Sequence, residues 1–205
     1  MQKNNPLAES LRLLKKDRRF APLIKRHGPP DLKRGNDIFA ALLRSIIYQQ
    51  LSGKAAGAIH KRFLALFPRK KPTPPLVLEK STKTLRMCGL SMQKVTYVRD
   101  LAKKFANKSI DHTKFPRMQS GKITEHLLQV KGIGEWTTHM LLIFTLNRPD
   151  ILPTGDLGIR KGFQILYRLS ALPDKREMEE LARPWRSSAT AASWYLWRVA
   201  DEAKG

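Results

Sequence analysis

Apolar residues recur along the chain at intervals of three and four, which is the spacing of one face of an α-helix. One such series is Ile38, Phe39, Leu42, Ile46 and Ile47. A second series is Val95, Val98, Leu101, Ala102 and Phe105. Alternation of apolar and polar residues, which is typical of a half-buried strand, never extends beyond a few positions. The pattern therefore predicts an all-α protein.

Capping residues and prolines indicate where the helices begin and end. The candidate N-caps are Asn36 or Asp37, Ser52, Ser81, Ser91 and Asp174, the last with Glu177 as a capping-box partner. Four prolines predict a loop after Phe67, namely Pro68, Pro72, Pro74 and Pro75. The predicted helices are 7–16, 18–26, 38–49, 53–67, 82–88, one that begins after Ser91, and then 122–130, 136–146, 157–169, 175–182 and 187–203.

The charge of the chain indicates the kind of partner. Among 205 residues there are 39 Lys and Arg against 17 Asp and Glu, a formal net charge of +22. A charge of this size favours a polyanionic partner. No apolar run is long enough to span a bilayer and no signal peptide or lipidation motif is found, so we expect a nucleic acid rather than a membrane.

The cysteine content limits the chemistry. Cys88 is the only cysteine, which excludes an internal disulfide and any metal or iron–sulfur site built from cysteines alone. The five histidines are scattered along the chain and form no cluster with carboxylates. We therefore expect an intracellular protein whose chemistry requires no metal.

The most specific signal lies in the segment 123–156, where two predicted helices are joined at Lys131-Gly132-Ile133-Gly134. Glycines one residue apart allow a tight turn whose backbone N–H groups point outward, unobstructed by Cβ atoms. Such N–H groups beside the positive end of a helix dipole are suited to binding a phosphate. Asp156 follows after a loop that contains two prolines, and its position suits the N-cap of helix 157–169.

The pattern Leu128-x-Val130-Lys131-Gly132-Ile133-Gly134-x-Trp136-Thr137 closely resembles the helix-hairpin-helix of DNA-repair glycosylases. Further segments are similar to the alkylbase (3-methyladenine) DNA glycosylases of this superfamily. They are Ile46-Ile47-Tyr48-Gln49-Gln50-Leu51-Ser52, Leu152-Pro153-Thr154-Gly155-Asp156 and Pro184-Trp185-Arg186. The resemblance extends from about residue 36 to residue 197. It implies two helical lobes with an active-site cleft between them, the first at about 36–115 with the wedge loop and the second at about 116–205 with 1–35 and the hairpin 122–146.

The resemblance implies that Asp156 is the catalytic aspartate of a glycosylase. A carboxylate beneath the sugar stabilises the positive charge that develops as the N-glycosidic bond breaks, and it can orient or deprotonate the attacking water. Relatives that also cut the DNA backbone have a nucleophilic lysine at the position of Trp136. Tryptophan cannot be a nucleophile, so we expect a monofunctional enzyme that removes alkylated purines and leaves an abasic site. The alternatives are a non-enzymatic hairpin protein that binds damaged DNA, and a glycosylase for deaminated or oxidised bases.

Other site residues follow from the same resemblance, because such an enzyme must rotate its target nucleotide out of the duplex. Gln50 aligns with the residue that fills the gap in the stack, and Gln49 or Leu51 are further candidates for this wedge. Trp136 and Trp194 align with positions of the base pocket, Met140 replaces a pocket tyrosine, and Tyr48 is a weaker candidate. Four other aromatic residues are expected to serve the core or the surface: Tyr97, Tyr167, Tyr195 and Trp197.

We expect the phosphate to be bound by Lys131, Gly132, Ile133 and Gly134. The carbonyls of Leu128, Val130 and Ile133 are candidate ligands of a structural monovalent cation, Na⁺ or K⁺, as in similar hairpins, and catalysis should need no cofactor. The expected partner is double-stranded DNA that contains alkylated bases, bound by a monomer. The compartment would be the bacterial or archaeal nucleoid in the cytoplasm, or the eukaryotic nucleus. The short helical amino-terminal segment indicates the compact form of the family, without the additional α/β domain of some bacterial relatives.

Overall fold

The computed structural model describes residues 6–32 and 35–203, and within these ranges all regular secondary structure is helical. The predicted all-α class is therefore confirmed. The α-helices are α1 (Pro6–Leu14), α2 (Phe20–His27), α3 (Ile38–Tyr48), α4 (Gly53–Ala65), α5 (Pro74–Glu79), α6 (Thr82–Met87), α7 (Met92–Ala106), α8 (Ser120–Leu127), α9 (Glu135–Phe144), α10 (Leu157–Tyr167), α11 (Lys175–Ala182) and α12 (Ala189–Glu202).

Side-chain capping explains why the helices start where the sequence predicts. Each predicted cap accepts a hydrogen bond from the backbone N–H three residues later, which satisfies a donor that the first turn leaves unpaired. The caps and their donors are Asp37 with Ala40, Ser52 with Ala55, Ser81 with Thr84, Ser91 with Lys94, and Asp174 with Glu177. Of the two candidates before α3, Asp37 is therefore the cap.

The proline-rich segment is a partial exception to the sequence prediction. Residues 68–75 were predicted to form a loop, but α5 begins at Pro74. Proline is tolerated in the first turn of a helix, where its missing N–H would have had no intrahelical partner. Short 3₁₀ helices that the pattern did not predict are Pro68–Lys70, His112–Arg117 and Arg183–Ser188. The prolines thus stop α4 and start α5.

The chain divides into two compact units. The central unit comprises Gly35–Leu141, and the terminal unit comprises Met1–Arg34 with Leu142–Gly205. The sequence placed the hairpin in the same lobe as the terminal segments, whereas the structure places residues up to Leu141 with the central segment. The reason is a set of contacts from the hairpin turn to α7 and to the end of α3, described below.

Each unit has its own apolar core. In the central unit α3 and α7 pack together through fully buried side chains, among them Leu42, Ile46, Val98 and Leu101. In the terminal unit α10 packs against α12. Its buried cluster extends to the amino-terminal helices through Phe20, whose ring meets the edge of Trp185 at 5.4 Å. None of the helices in the described part of the chain is long and apolar enough to cross a membrane.

A buried tyrosine ties the two ends of the terminal unit together. The hydroxyl of Tyr195 donates a hydrogen bond to the carbonyl of Gly28 at 2.7 Å. Burial raises the pKa of Tyr195 to about 12, so the hydroxyl remains a donor at neutral pH. The prediction of a core role for Tyr195 is confirmed, since its ring is fully buried.

Candidate functional site

Asp156 is the N-cap of α10. Its Oδ1 accepts a hydrogen bond from the backbone N–H of Ile159 at 3.0 Å, and its backbone is extended, as a cap requires. The side chain is half-buried. The capping role predicted from the sequence is therefore confirmed, and it fixes the carboxylate at the positive end of the α10 dipole.

Asp156 also accepts a second hydrogen bond that the sequence did not predict. The indole Nε1–H of Trp197, on α12, donates to the same Oδ1 at 2.9 Å. Trp197 was expected to serve the core or the surface, and this contact was missed. Its sequence signal is one aromatic residue among several on α12, so nothing in the pattern separates it from its neighbours. Two N–H donors on one oxygen favour the charged form of a carboxylate and hold its orientation.

The hairpin turn between α8 and α9 is shaped by Gly132 and Tyr97. Gly132 has a φ of +80°, in the region that favours glycine. A Cβ added there would lie 2.1 Å from Cδ2 of Tyr97, so the tyrosine ring occupies the space that any other residue would need. Tyr97, expected in the core or on the surface, packs against this turn. The turn thus requires glycine for two independent reasons.

Two of the four residues predicted to bind phosphate have their N–H groups engaged within the protein. The N–H of Lys131 donates to Oδ2 of Asp100 at 2.9 Å, and that of Ile133 donates to the carbonyl of Val130 at 3.1 Å. Local acceptors therefore already satisfy these two N–H groups, whereas the prediction that the four residues bind phosphate stays a prediction. No described residue accepts a hydrogen bond from the N–H of Gly132 or Gly134. The side chain of Lys131 is exposed beside them.

One face of α7 positions both the turn and the loop after α3. Lys94, Tyr97 and Asp100 follow at intervals of three and therefore project from the same side of the helix. The Nζ of Lys94 donates to the carbonyls of Ile47 and Gln49, both at 2.7 Å, which satisfies the carboxyl end of α3. Burial lowers the pKa of Lys94.

The loop 49–51 contains the three wedge candidates, and the structure distinguishes them. The side-chain amide of Gln49 donates to the carbonyl of Gly132 at 2.7 Å, so this residue links the loop to the hairpin turn. Gln50 is exposed and has a left-handed backbone with φ of +56°. Leu51 is 41% exposed. Gln50 and Leu51 therefore form the accessible tip of the loop, whereas Gln49 is its anchor.

The match to known proteins is consistent with this arrangement. Residues 43–187 match the HhH-GPD superfamily of base excision DNA repair proteins, and this range includes the hairpin, Asp156 and the loop 49–51. The chain belongs to that superfamily. The resemblance inferred from the hairpin pattern is confirmed.

Several individual HhH-GPD proteins are similar over most of their length. The DNA-3-methyladenine glycosylase 1 of Schizosaccharomyces pombe is 35% identical over 91% of this chain and 82% of its own. A solved structure of the 3-methyladenine DNA glycosylase of that yeast, in complex with abasic DNA, covers 93% of this chain and 95% of its own with a TM-score of 0.79 and 33% identity. The DNA-3-methyladenine glycosidase of Bacillus halodurans covers 98% and 92%, with a TM-score of 0.87 and 30% identity.

The base-pocket candidates of this HhH-GPD chain occupy different surroundings. Trp136 is 50% exposed near the start of α9, and Met140 lies one turn later, half-buried. Tyr48 is covered by the guanidinium of Arg44, 4.2 Å from its ring centroid, and meets His60 edge-on. Burial, together with the charge of Arg44, lowers the pKa of His60. One face of the Tyr48 ring is therefore covered by Arg44, and the ring also contacts α4 through His60.

Trp194 lies in a cavity of the terminal unit of about 530 Å³. The guanidinium of Arg198 lies 4.5 Å above its ring, and His27 meets it edge-on at 6.3 Å. Asp31, Asp201 and Glu202 also line this cavity. The guanidinium therefore covers one face of the Trp194 ring, as that of Arg44 covers one face of Tyr48.

The carbonyls predicted to bind a monovalent cation lie at the end of α8 and in the turn. The carbonyl of Val130 accepts the N–H of Ile133, which leaves its second lone pair for a cation. The side chain of Leu128 is 48% exposed, so this edge of the turn faces solvent. Among the described residues no group of three His, Cys, Asp or Glu side chains is arranged to hold a metal.

The ionisation of Asp100 should make the hairpin sensitive to acid. Burial alone would raise the pKa of Asp100, but the hydrogen bonds from Lys104 and from the N–H of Lys131, with the charges of both lysines, lower it overall. The contribution of Asp100 to the free energy of unfolding is therefore complete above its unfolded-state pKa, about 3.9. It is lost as the pH falls through the lower folded-state pKa.

We predict that Asp100→Asn lowers the free energy of unfolding at neutral pH by about 1–3 kcal/mol, because a charged acceptor is lost. The difference from the wild type should shrink progressively below about pH 4, where Asp100 takes up a proton in the unfolded wild type, and should vanish once the pH is below the lower folded-state pKa. Urea unfolding of both proteins between neutral and acidic pH measures it. A difference that stayed constant with pH would show that the charge of Asp100 is not responsible.

Proposed function

We propose that this protein is a monofunctional DNA glycosylase that hydrolyses the N-glycosidic bond of alkylated purines in duplex DNA and leaves an abasic site. N3-methyladenine is the first substrate we propose, followed by N7-methylguanine. The observation that carries the proposal is the half-buried carboxylate of Asp156, held by two N–H donors in an HhH-GPD chain. The similarity to glycosylases named for 3-methyladenine supports the substrate class.

The reaction breaks the bond between C1′ of the sugar and the purine nitrogen, and the electron pair of that bond leaves with the base. An alkylated purine is cationic in DNA and leaves as a neutral base, so no strong general acid is required. Positive charge develops at C1′ and is stabilised by the carboxylate of Asp156. Water then adds to C1′ through its oxygen, and its proton passes to Asp156 or to solvent. The products are the free base and an abasic deoxyribose.

The absence of a lyase step follows from the hairpin. Trp136 stands where the superfamily members that cut the backbone have a nucleophilic lysine. An indole cannot form a Schiff base with C1′. We therefore propose that the reaction ends at the abasic site, and that the strand stays intact.

For the DNA backbone we propose a grip built on the hairpin turn. The N–H groups of Gly132 and Gly134 and the start of α9 supply donors for a phosphate, and the side chain of Lys131 adds charge. A Na⁺ or K⁺ ion on the carbonyls of Leu128, Val130 and Ile133 would bridge the turn to that phosphate. The net charge of +22 should make binding strongly dependent on salt. We propose that the protein acts as a monomer, in the nucleoid if bacterial or archaeal and in the nucleus if eukaryotic.

For the flipped nucleotide we propose separate residues for the base and for the gap it leaves. The half-exposed ring of Trp136 in the central unit and the ring of Trp194 in the terminal unit are each candidates for stacking on an electron-poor purine, and Met140 is a further candidate with an adaptable side chain. Gln50 and Leu51, at the tip of their loop, would fill the vacated stack.

Replacing Gln50 with glycine should slow base release without lowering the stability of the protein. Glycine adopts a φ of +56° without strain, so the variant should be as stable as the wild type or more stable by up to about 1 kcal/mol. Base release in a single turnover should nevertheless fall roughly tenfold, the effect of losing ~1.4 kcal/mol of compensation for unstacking. Thermal unfolding and release kinetics on the same preparation measure both. Base release at the wild-type rate by this variant would show that Gln50 does not act as the wedge.

The proposed activity is tested with a panel of duplexes that each contain one defined lesion: N7-methylguanine, hypoxanthine, uracil or 8-oxoguanine. We expect release of the alkylated base in preference to the deaminated or oxidised bases. Borohydride added during the reaction should trap no covalent protein–DNA adduct. Preferred release of a deaminated or oxidised base would assign another lesion, and a trapped adduct would contradict the hydrolytic mechanism.

A further inference from the structure

The contact between Trp197 and Asp156 exceeds what a helix cap requires. A cap residue needs one hydrogen bond to an N–H of the first turn, and Ile159 already provides it at 3.0 Å. The Nε1–H of Trp197 is a second donor to the same Oδ1, at 2.9 Å, from a residue 41 positions later in the chain. The stability of α10 therefore does not explain the second bond.

Neighbouring residues are arranged so that this bond can form. The ring of Trp197 stacks on Phe144 with centroids 5.8 Å apart and 23° between the planes, which fixes the direction of its N–H. Gly158 leaves the necessary space. A Cβ there would lie 2.9 Å from Cδ1 of Trp197 and 3.0 Å from Oδ1 of Asp156. Phe144 thus orients the indole, and Gly158 leaves room for its hydrogen bond to Asp156.

We infer that Trp197 is a positioning residue, which holds the Asp156 carboxylate in one orientation for the reaction. This inference rests on the proposed role of Asp156. With Oδ1 fixed by two donors, the plane of the carboxylate is set before DNA binds. Preorganised charge of this kind needs no rearrangement as the sugar becomes cationic. Trp197 itself need not touch the substrate.

The competing interpretation is that Trp197 only packs α12 against its neighbours, since this half-buried residue packs against the core of the terminal unit. The two interpretations differ in whether the effect of Trp197 on the reaction rate requires the carboxylate of Asp156. A positioning residue affects the rate only while the carboxylate is present. A packing residue affects stability, and any effect it has on the rate should be the same with or without the carboxylate.

Trp197→Phe tests the inference because it keeps an aromatic ring against Phe144 and removes only the N–H. We expect the single-turnover rate of N7-methylguanine release to fall about 10- to 100-fold, in keeping with the loss of one hydrogen bond to a charged group. Affinity for abasic-site duplex should stay within about twofold, since the change acts on the rate rather than on binding. In an Asp156→Asn background the same substitution should cause no further loss of the residual rate.

Trp185→Phe is the matched control. It also removes an indole N–H from the terminal unit, here one that donates to the hydroxyl of Tyr167 at 3.1 Å, and it leaves Asp156 untouched. We expect lower thermal stability and an unchanged release rate. If Trp197→Phe behaves like this control, or if it lowers the rate by the same factor in the Asp156→Asn background, Trp197 is a packing residue and the inference is wrong.

A second variant covers the case in which Trp197→Phe does not fold. Gly158→Ala retains both side chains, but its Cβ would crowd the hydrogen bond from both sides, at 2.9 Å from Cδ1 of Trp197 and 3.0 Å from Oδ1 of Asp156, so it should lower the release rate. An unchanged rate in this variant would overturn the inference. Wild-type release by Asp156→Asn alone is a different failure, because it would contradict the proposed function.

Discussion

Asp156→Asn should reduce base release by at least ~100-fold, the lower end of what a positioned acid or base contributes, while the protein remains folded and binds duplex DNA. Asparagine caps helices about as well as aspartate, and its Oδ1 can still accept the N–H groups of Ile159 and Trp197. Only the negative charge is lost, and with it the stabilisation of the cationic sugar. Single-turnover release with enzyme in excess measures the effect.

The same preparation supplies the control for this substitution. Affinity for an abasic-site duplex should match the wild type, and thermal unfolding should show a folded protein, destabilised by at most about 1–3 kcal/mol because two N–H groups lose a charged acceptor. A folded Asp156→Asn protein that released base at the wild-type rate would leave Asp156 as a helix cap only. If Asp156→Asn loses both activity and fold, Asp156→Ser is the second variant to measure, because serine also caps helices and carries no charge.

Gly132→Ala should disrupt the hairpin and is the second large effect that we expect. The φ of +80° strains any other residue, and the new Cβ would lie 2.1 Å from the ring of Tyr97. Together these effects should cost about 2–6 kcal/mol of stability, since backbone strain and overpacking each contribute ~1–3 kcal/mol. Affinity for duplex DNA should fall as well, because the turn presents the proposed phosphate donors. Urea unfolding and a binding titration at fixed salt measure both.

Gly121→Ala provides the comparison for the hairpin. A Cβ at Gly121, in α8, meets no atom within 4 Å, so alanine should be neutral or stabilise the helix by up to about 1 kcal/mol. Adding Tyr97→Ala to Gly132→Ala removes the clash but not the backbone strain, and it should restore part of the lost stability. Equal behaviour of Gly132→Ala and Gly121→Ala would contradict the role assigned to the turn.

Features that depend on neighbouring residues could be predicted from the sequence. The caps Asp37, Ser52, Ser81 and Ser91 act on an N–H only three residues away, so their residue type and position are sufficient. The two glycines of the hairpin are equally local. Asp156 combines a local role, the cap, with a role that only the family resemblance suggested.

Contacts between distant parts of the chain could not be predicted in the same way. Asp100 and Lys131 are 31 residues apart, Gln49 and Gly132 are 83 apart, and Asp156 and Trp197 are 41 apart. Each involves a residue type that is common on helix surfaces or in cores, so no pattern identifies its partner. For this reason the sequence could not show that the N–H of Lys131 and the side-chain amide of Gln49, a further wedge candidate, both have acceptors within the central unit.

The most direct test of the central claim is chromatography of the bases that the wild-type protein frees from duplex DNA treated with a methylating agent. The account predicts that N3-methyladenine and N7-methylguanine appear as free bases, with abasic sites left in an uncut strand. Tight binding of the methylated duplex with no free base above the spontaneous background would contradict it, and would indicate a protein that binds damaged DNA without catalysis.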